Sequence, residues 1–131
     1  MLERKWLTST RIIAWATSAV SSSPYPIEDY SNIMLTIAGS DTASATIKVV
    51  GSFQLDAPDF SESADVDNQW SYISVRDLED WTNIDGTTGI SLETDGVSSY
   101  LVNTPWLRWV WVVITTYTTG TIDVSLNGFS S

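Results

Sequence analysis

The sequence predicts an all-β protein, folded as an antiparallel β-sandwich of about eight strands with a jelly-roll-like arrangement. Composition is the first reason, because the 131 residues are rich in threonine, valine and isoleucine and include seven tryptophans and five tyrosines. These residue types favour strands over helices. Spacing is the second reason, because short apolar runs recur at regular intervals between turn clusters. No segment has a convincing helical period.

The predicted strands follow an N-terminal arm at residues 1–11. The remaining residues, 12–131, are expected to form a single β-sandwich domain, since a chain of this length can bury a real core. Glycine and aspartate clusters mark the turns, and Pro24 and Pro26 place a loop at 21–26. The strands are expected near residues 11–17, 32–37, 45–53, 69–75, 90–93, 99–102, 107–116 and 121–126.

The segment 107–117, LRWVWVVITTY, predicts a strand that is apolar on both faces. Successive side chains of a strand point to opposite sides, so Trp109 and Trp111 share one face and valines and an isoleucine form the other. In a small antiparallel protein one face can join the core, but the other needs a second cover. We expect another subunit to cover the tryptophan face; the faces could be reversed, or the loop 77–85 could serve instead.

Charge is distributed unevenly along the chain. The net charge of −10 argues against binding to nucleic acid or to an anionic membrane surface. Arg4, Lys5 and Arg11 are half of the six basic residues, whereas nine acidic residues between 56 and 85 accompany only Arg76. This pattern indicates contact between a basic arm and a neighbouring chain or larger assembly, or else a solvated terminus and a solvated loop.

The residues offer little for catalysis. The chain has no cysteine and no histidine, which removes thiolate metal sites, the commonest metal ligand and the commonest general base. Carboxylate pairs are plentiful, and a glycosidase would need two of them across a cleft, but acidic loops on an acidic protein are usually solvated. We therefore expect no enzyme and no cofactor.

Residues 65–68, Asp-Val-Asp-Asn, resemble the opening of a calcium-binding loop. The EF-hand pattern requires glycine at the sixth position and glutamate at the twelfth, and those positions hold Trp70 and Arg76. The motif therefore fails and no metal ligand set is predicted. A looser surface calcium site stays open as an alternative, with ligands drawn from Asp56, Asp59, Asp65 and Asp67.

Six phrases of this chain, in their order, resemble small virion structural proteins of tailed bacteriophages, most closely capsid decoration (cement) proteins or related head and tail accessory proteins. The phrases are GSFQLDAPDF (51–60), NQWSYISVRDLED (68–80), IDGTTGI (84–90), GVSSYLVN (96–103), LRWVWVVI (107–114) and GTIDVSLNGF (120–129). The resemblance covers about residues 30–129. It implies a β-sandwich that joins a viral particle, commonly as a trimer, and contributes stability rather than chemistry.

The resulting hypothesis is a non-enzymatic decoration protein that is made in the bacterial host cytoplasm and joins the capsid surface of the virion. It would form a homotrimer and bind the major capsid protein. The expected subunit-interface residues are Trp81, Trp109 and Trp111. The expected capsid-docking residues of the arm are Leu2, Arg4, Lys5, Trp6 and Arg11. The alternative is a carbohydrate-binding or receptor-binding module of a phage tail or fibre, in which an exposed aromatic row stacks on glycan.

Overall fold

The computed structural model describes residues 6–93 and 95–130, in which all the strands belong to one antiparallel sheet and no residue is helical. The strands are β1 (Trp6–Ala16), β2 (Tyr25–Pro26), β3 (Asn32–Ser52), β4 (Ser71–Ile73), β5 (Val75–Asp77), β6 (Asn83–Ile84), β7 (Ile90–Leu92), β8 (Gly96–Val102) and β9 (Trp109–Phe129). The all-β antiparallel prediction is confirmed. The sandwich and the jelly roll are not, because the nine strands form one continuous hydrogen-bonded sheet. In the same ranges, no helix is long and apolar enough to cross a membrane.

Two strands of 21 residues each, β3 and β9, form the central ribbon of the sheet. They pair from Asn32 opposite Phe129 to Ser52 opposite Trp109. At the Phe129 end, β1 lies beside β9, and β8, β5 and β6 follow in order beyond β3. At the Trp109 end, β2 pairs with β9, while β4 and β7 pair with β3. Every other strand is therefore attached to this ribbon directly or through β8.

The ribbon folds back on itself near its middle. The amide of Ile27 donates to the carbonyl of Arg108 at 2.9 Å, and the amide of Ser31 donates to the carbonyl of Phe129 at 3.2 Å. The segment 27–31 thus joins the two ends of β9, and five residues span at most about 18 Å. A straight strand as long as β9 would measure about 70 Å. The two ends can approach each other only because the ribbon bends sharply.

The bend coincides with a bulge in β3. Ser40 lies opposite Thr121 and Ser44 lies opposite Thr119, so three residues of β3 oppose a single residue of β9. Extra residues on one strand increase local twist and bend the strand. The turn signals between 32–37 and 45–53 therefore mark a bulge within one long strand instead of a turn between two strands.

Close backbone contact at the bend requires a glycine. Asp41 and Thr42 adopt left-handed backbone conformations, with φ of 59° and 58°, and Gly120 opposite them has a φ of 97°. A Cβ atom on Gly120 would lie 2.3 Å from the Cα of Ala43. Since no side chain fits that gap, the absence of a Cβ at this position lets β9 pass close against the bulge.

One face of the ribbon lines the core on both sides of the bend. Leu35 and Ile37 before the bend and Ile47 and Val49 after it are between 0% and 2% exposed. The matching side chains of β9 are buried as well, and Val112 joins the same apolar cluster. The period of two in the sequence therefore persists through the bend, and the folded ribbon encloses a single core.

The strand β1 begins earlier than the sequence analysis places it. Trp6 pairs with Phe129 and Arg11 pairs with Ser125, so residues 6–11 belong to the sheet and not to a free arm. The boundary at residue 11 is corrected accordingly. The other residues expected to dock the arm, Leu2, Arg4 and Lys5, lie outside the described residues.

The geometry at Gly120 leads to a stability prediction. The substitution Gly120→Ala should lower the free energy of unfolding by more than about 3 kcal/mol, because the added Cβ overlaps backbone and cannot move away. Gly96→Ala is the matched control, since Gly96 also has positive φ (124°) but no atom within 4 Å of an added Cβ. It should cost only about 1–2 kcal/mol of backbone strain. Equal losses in urea denaturation of the two variants would contradict the role of the bend.

Candidate binding surfaces

The acidic connection between β3 and β4, residues 53–70, is ordered around one asparagine. The side-chain amide of Asn68 donates to the carbonyls of Asp59 at 2.8 Å and Ser63 at 3.2 Å. Its side-chain oxygen accepts the amide of Asp59 at 2.7 Å. These bonds satisfy backbone groups that a wide loop would otherwise leave to water. The connection is therefore a compact lid with defined internal contacts.

The lid covers the second face of β9. The Phe60 ring lies 5.5 Å from that of Trp111 and 4.8 Å from that of Trp70, in edge-on geometries of 75° and 73°. Trp111 and its cross-strand neighbour Val50 are both 0% exposed, yet neither belongs to the main core cluster. They form a small separate cluster beneath the lid. The second cover is therefore supplied within the chain, by 53–70 and not by 77–85.

The three tryptophans expected at a subunit interface differ in their exposure to solvent. Trp111 is fully buried, and its indole N–H has no partner among the described residues. Trp109 is half-buried and donates from Nε1 to the carbonyl of Gln54 at 3.0 Å. Trp81 lies in the β5–β6 connection, outside the lid, and is 58% exposed. Their role between chains stays a prediction, but Trp111 has no exposed surface to offer a partner.

Trp81 is held in place by an arginine. The Arg76 guanidinium lies 5.3 Å from the centre of the Trp81 ring and donates from Nη1 to the Trp81 carbonyl at 2.8 Å. The backbone of Trp81 has a φ of 65°, a conformation that bulky residues rarely adopt. The ring is therefore presented to solvent on a fixed backbone.

The described docking residues lie on β1. Trp6 is 62% exposed, with its ring 5.7 Å from Phe129. Arg11 lies over the ring of Trp15 at 5.1 Å and places Nη2 3.8 Å from a carboxylate oxygen of Asp123. The Asp123 carboxylate also accepts the amide of Trp15 at 2.5 Å. The exposed side of β1 thus carries two tryptophans and one arginine.

Three exposed aspartates accept hydrogen bonds from the residues two positions later in the chain. The pairs are Asp59 with Ser61, Asp80 with Thr82 and Asp85 with Thr87. In each pair, the hydroxyl and the amide donate to the carboxylate and hold its pKa below the ordinary value of 3.8. A general acid in glycoside hydrolysis needs a raised pKa instead. These carboxylates therefore stabilise turns.

Within the ranges that the structure describes, no three side chains of the metal-ligating types come together. Asp59 and Asp65, two of the aspartates considered for a looser calcium site, accept amide hydrogen bonds from Ser61 and Asp67 at 2.9 Å and 2.8 Å. Their oxygens thus contribute to the folding of the lid.

A cleft of about 290 Å³ opens between the end of β3, the start of β4 and the segment before β9. Its lining combines aromatic, aliphatic and polar side chains, and the residues are Gly51, Ser52, Phe53, Gln69, Trp70, Ser71, Ile73, Thr104 and Leu107. Trp106, which stands between two lining residues in the chain, is 61% exposed. Sequence reasoning missed Phe53 and Trp106 as surface aromatics; the one available signal was the position of Trp106 directly after Pro105 and before a predicted strand.

The fold defines an all-β class of protein, a continuous antiparallel sheet on a folded two-stranded ribbon. Among solved structures it is similar to the crystal structure of the SPBc2 prophage-derived protein YomS, with a TM-score of 0.72 and 15% sequence identity. The match covers 99% of this chain and 97% of that one. No protein-family model and no curated protein matches the sequence. Since the identity is low, the similarity shows a shared fold.

The lid leads to a second stability prediction. Phe60→Ala should lower the free energy of unfolding by about 2–3 kcal/mol, because it removes the half-buried ring that covers Trp111. Phe53→Ala is the control in the same connection; its ring is 57% exposed, so the change should stay within about 0.5 kcal/mol. Urea denaturation followed by circular dichroism compares the two. Similar values for both variants would mean that Phe60 does not hold the lid.

Proposed function

We propose that this chain is a non-enzymatic structural protein of a tailed-phage particle, specifically a capsid decoration (cement) protein that forms a homotrimer on the head shell. The supporting observation is the similarity of its fold to the prophage-derived protein YomS over nearly the full length of both chains. The six phrases that resemble phage virion proteins support the same group from the sequence. On this proposal the protein is made in the host cytoplasm and binds the major capsid protein.

The distribution of exposed aromatic rings supports a role in assembly. Trp6, Trp15 and Trp81 are 62%, 61% and 58% exposed, and they lie on β1 and on the far side of the sheet, in the β5–β6 connection. Tryptophan is enriched among residues that dominate binding energy at protein interfaces. Several weak contacts on one symmetric oligomer bind far more tightly than one contact. Separate anchors on one chain suit a protein that contacts both its own copies and a shell.

We assign these anchors two roles. Trp81 is the anchor between subunits, because its ring is exposed and its backbone is fixed by Arg76. The exposed side of β1, with Trp6 and Arg11, is the surface that docks on the capsid. Arg11 follows Arg4 and Lys5 in the sequence, so this end of an otherwise acidic chain suits an acidic patch on the capsid protein.

Asp59, Asp80 and Asp85 accept hydrogen bonds from hydroxyls and amides of their own turns, which gives these carboxylates a structural role. Such bonds favour a fixed conformation of these exposed turns.

The proposal predicts a trimer in solution. Light scattering of the full chain should give about three times the 14.4 kDa of one chain, and Trp81→Ala should shift the mass toward the monomer, because it removes the interface anchor. Trp106→Ala is the control, because Trp106 is similarly exposed, at 61% against 58%, but lies beside the cleft. A monomer at all concentrations would contradict the trimer.

A separate experiment tests whether the protein binds the capsid shell. The chain should co-sediment with shells of the major capsid protein encoded in the same phage genome, and Trp6→Ala combined with Arg11→Glu should weaken that binding at least about tenfold. Co-sedimentation that is unchanged by these substitutions would remove β1 as the docking surface. No binding to the shells at all would contradict the decoration role.

A further inference from the structure

Trp106 occupies a position that disfavours tryptophan in two ways. Its backbone has a φ of 64°, where a side chain with a Cβ costs about 1–2 kcal/mol relative to glycine. Its side chain is 61% exposed, so most of the ring stays out of the core. Backbone strain of this kind clusters at sites that contact a ligand, but Trp15 and Trp81 also combine a positive φ with an exposed ring. What distinguishes Trp106 is the cleft that opens beside it.

The cleft next to Trp106 has an aromatic wall and an apolar base. Phe53, which is 57% exposed, lines it together with Trp70, the last residue of the lid. Leu107, which is 1% exposed, forms part of the base. Leu107 and Thr104 line the cleft on either side of Trp106 in the chain, which places the Trp106 backbone at its rim.

Polar groups share this lining with the aromatic rings. Ser71, Thr104 and Gln69 are among the residues that line the cleft. The amide nitrogen of Gln69 donates to the carbonyl of Val66 at 3.1 Å, which fixes the orientation of this side chain. The lining thus combines aromatic and aliphatic residues with residues that can form hydrogen bonds, as small-molecule sites usually do.

We propose that this cleft binds a neutral saccharide. A sugar ring has an apolar C–H face that stacks on an aromatic side chain and hydroxyls at its edge that bond to hydroxyl and amide groups. An entirely apolar ligand would leave the polar lining groups unsatisfied, which disfavours binding. The volume of 290 Å³ lies just below the usual range of about 300–1,000 Å³ for ligand sites, so the cleft suits a short saccharide.

The negative charge of the lid beside the cleft favours a neutral sugar over an acidic one. The lid beside the cleft carries five acidic residues and no basic one, namely Asp56, Asp59, Glu62, Asp65 and Asp67. Arg108, which follows the lining residue Leu107, is paired with Glu28 at 2.7 Å. The residues that line the cleft include no lysine or arginine, so an anionic glycan would meet repulsion from the lid. The saccharide site does not depend on the decoration role, since it is equally compatible with a head or a tail position.

Native gel electrophoresis in the presence of soluble polysaccharides tests the site on the full chain. The neutral probes are dextran, laminarin and glucomannan, and the anionic comparison is alginate. At least one neutral probe should retard the protein, and Trp106→Ala and Phe53→Ala should each weaken that retardation about tenfold or more. Trp15→Ala should not, because Trp15 has the same exposure of 61% and a left-handed φ of 51° but lies near the bend, away from the Trp109 end of the ribbon where the cleft opens.

Each other outcome overturns the proposal. Retardation that survives in both cleft variants would place the sugar elsewhere, and an equal loss in Trp15→Ala would indicate a general effect of removing an exposed tryptophan. Preference for alginate would contradict the charge argument, and no retardation by any of the three neutral probes would remove the site. Circular dichroism of each variant confirms that a loss of binding is not a loss of fold.

Discussion

The pairing of β3 with β9 is the constraint on which the rest of the structure depends. These two strands run together for 21 residues each, and the remaining strands attach to one or the other or continue from β8. Because the ribbon folds back where Gly120 passes Ala43, a single face of it can enclose the core from both sides. The sheet therefore buries its apolar face against itself. In the described ranges, no helix is needed to cover that face.

Folding the ribbon leaves its outer face to be covered by something else. Near Trp111 that face is apolar, and the chain covers it with the acidic lid, whose Phe60 packs against the Trp111 ring. The lid is therefore more than a solvated loop, although its outer surface carries most of its charge. Once Trp111 is covered, the aromatic rings left for partners are those that the lid does not reach, such as Trp81 and Trp106.

The sequence predicts the fold class and many strand positions because both rest on local patterns. The run at 90–93, for example, corresponds to β7, Ile90–Leu92. The bend could not be predicted in the same way, since the period of two is identical on either side of it and turn residues are common to hairpins and bulges. The need for a second cover on Trp111 was visible in the alternation of residues 107–117, but its source was not. Phe60 lies far from Trp111 in the chain, and the cleft residues come together only through the sheet topology.

The central claim is that the second face of β9 is covered by the chain's own lid and not by another subunit. The most direct test is a nuclear Overhauser effect between the rings of Phe60 and Trp111, whose centres lie 5.5 Å apart, recorded over a dilution series that reaches the monomer. We predict a signal whose intensity per chain does not change with concentration. A signal that disappears as the oligomer dissociates, or that is absent throughout while Trp111 contacts protons of a second, isotopically distinct copy, would contradict this account.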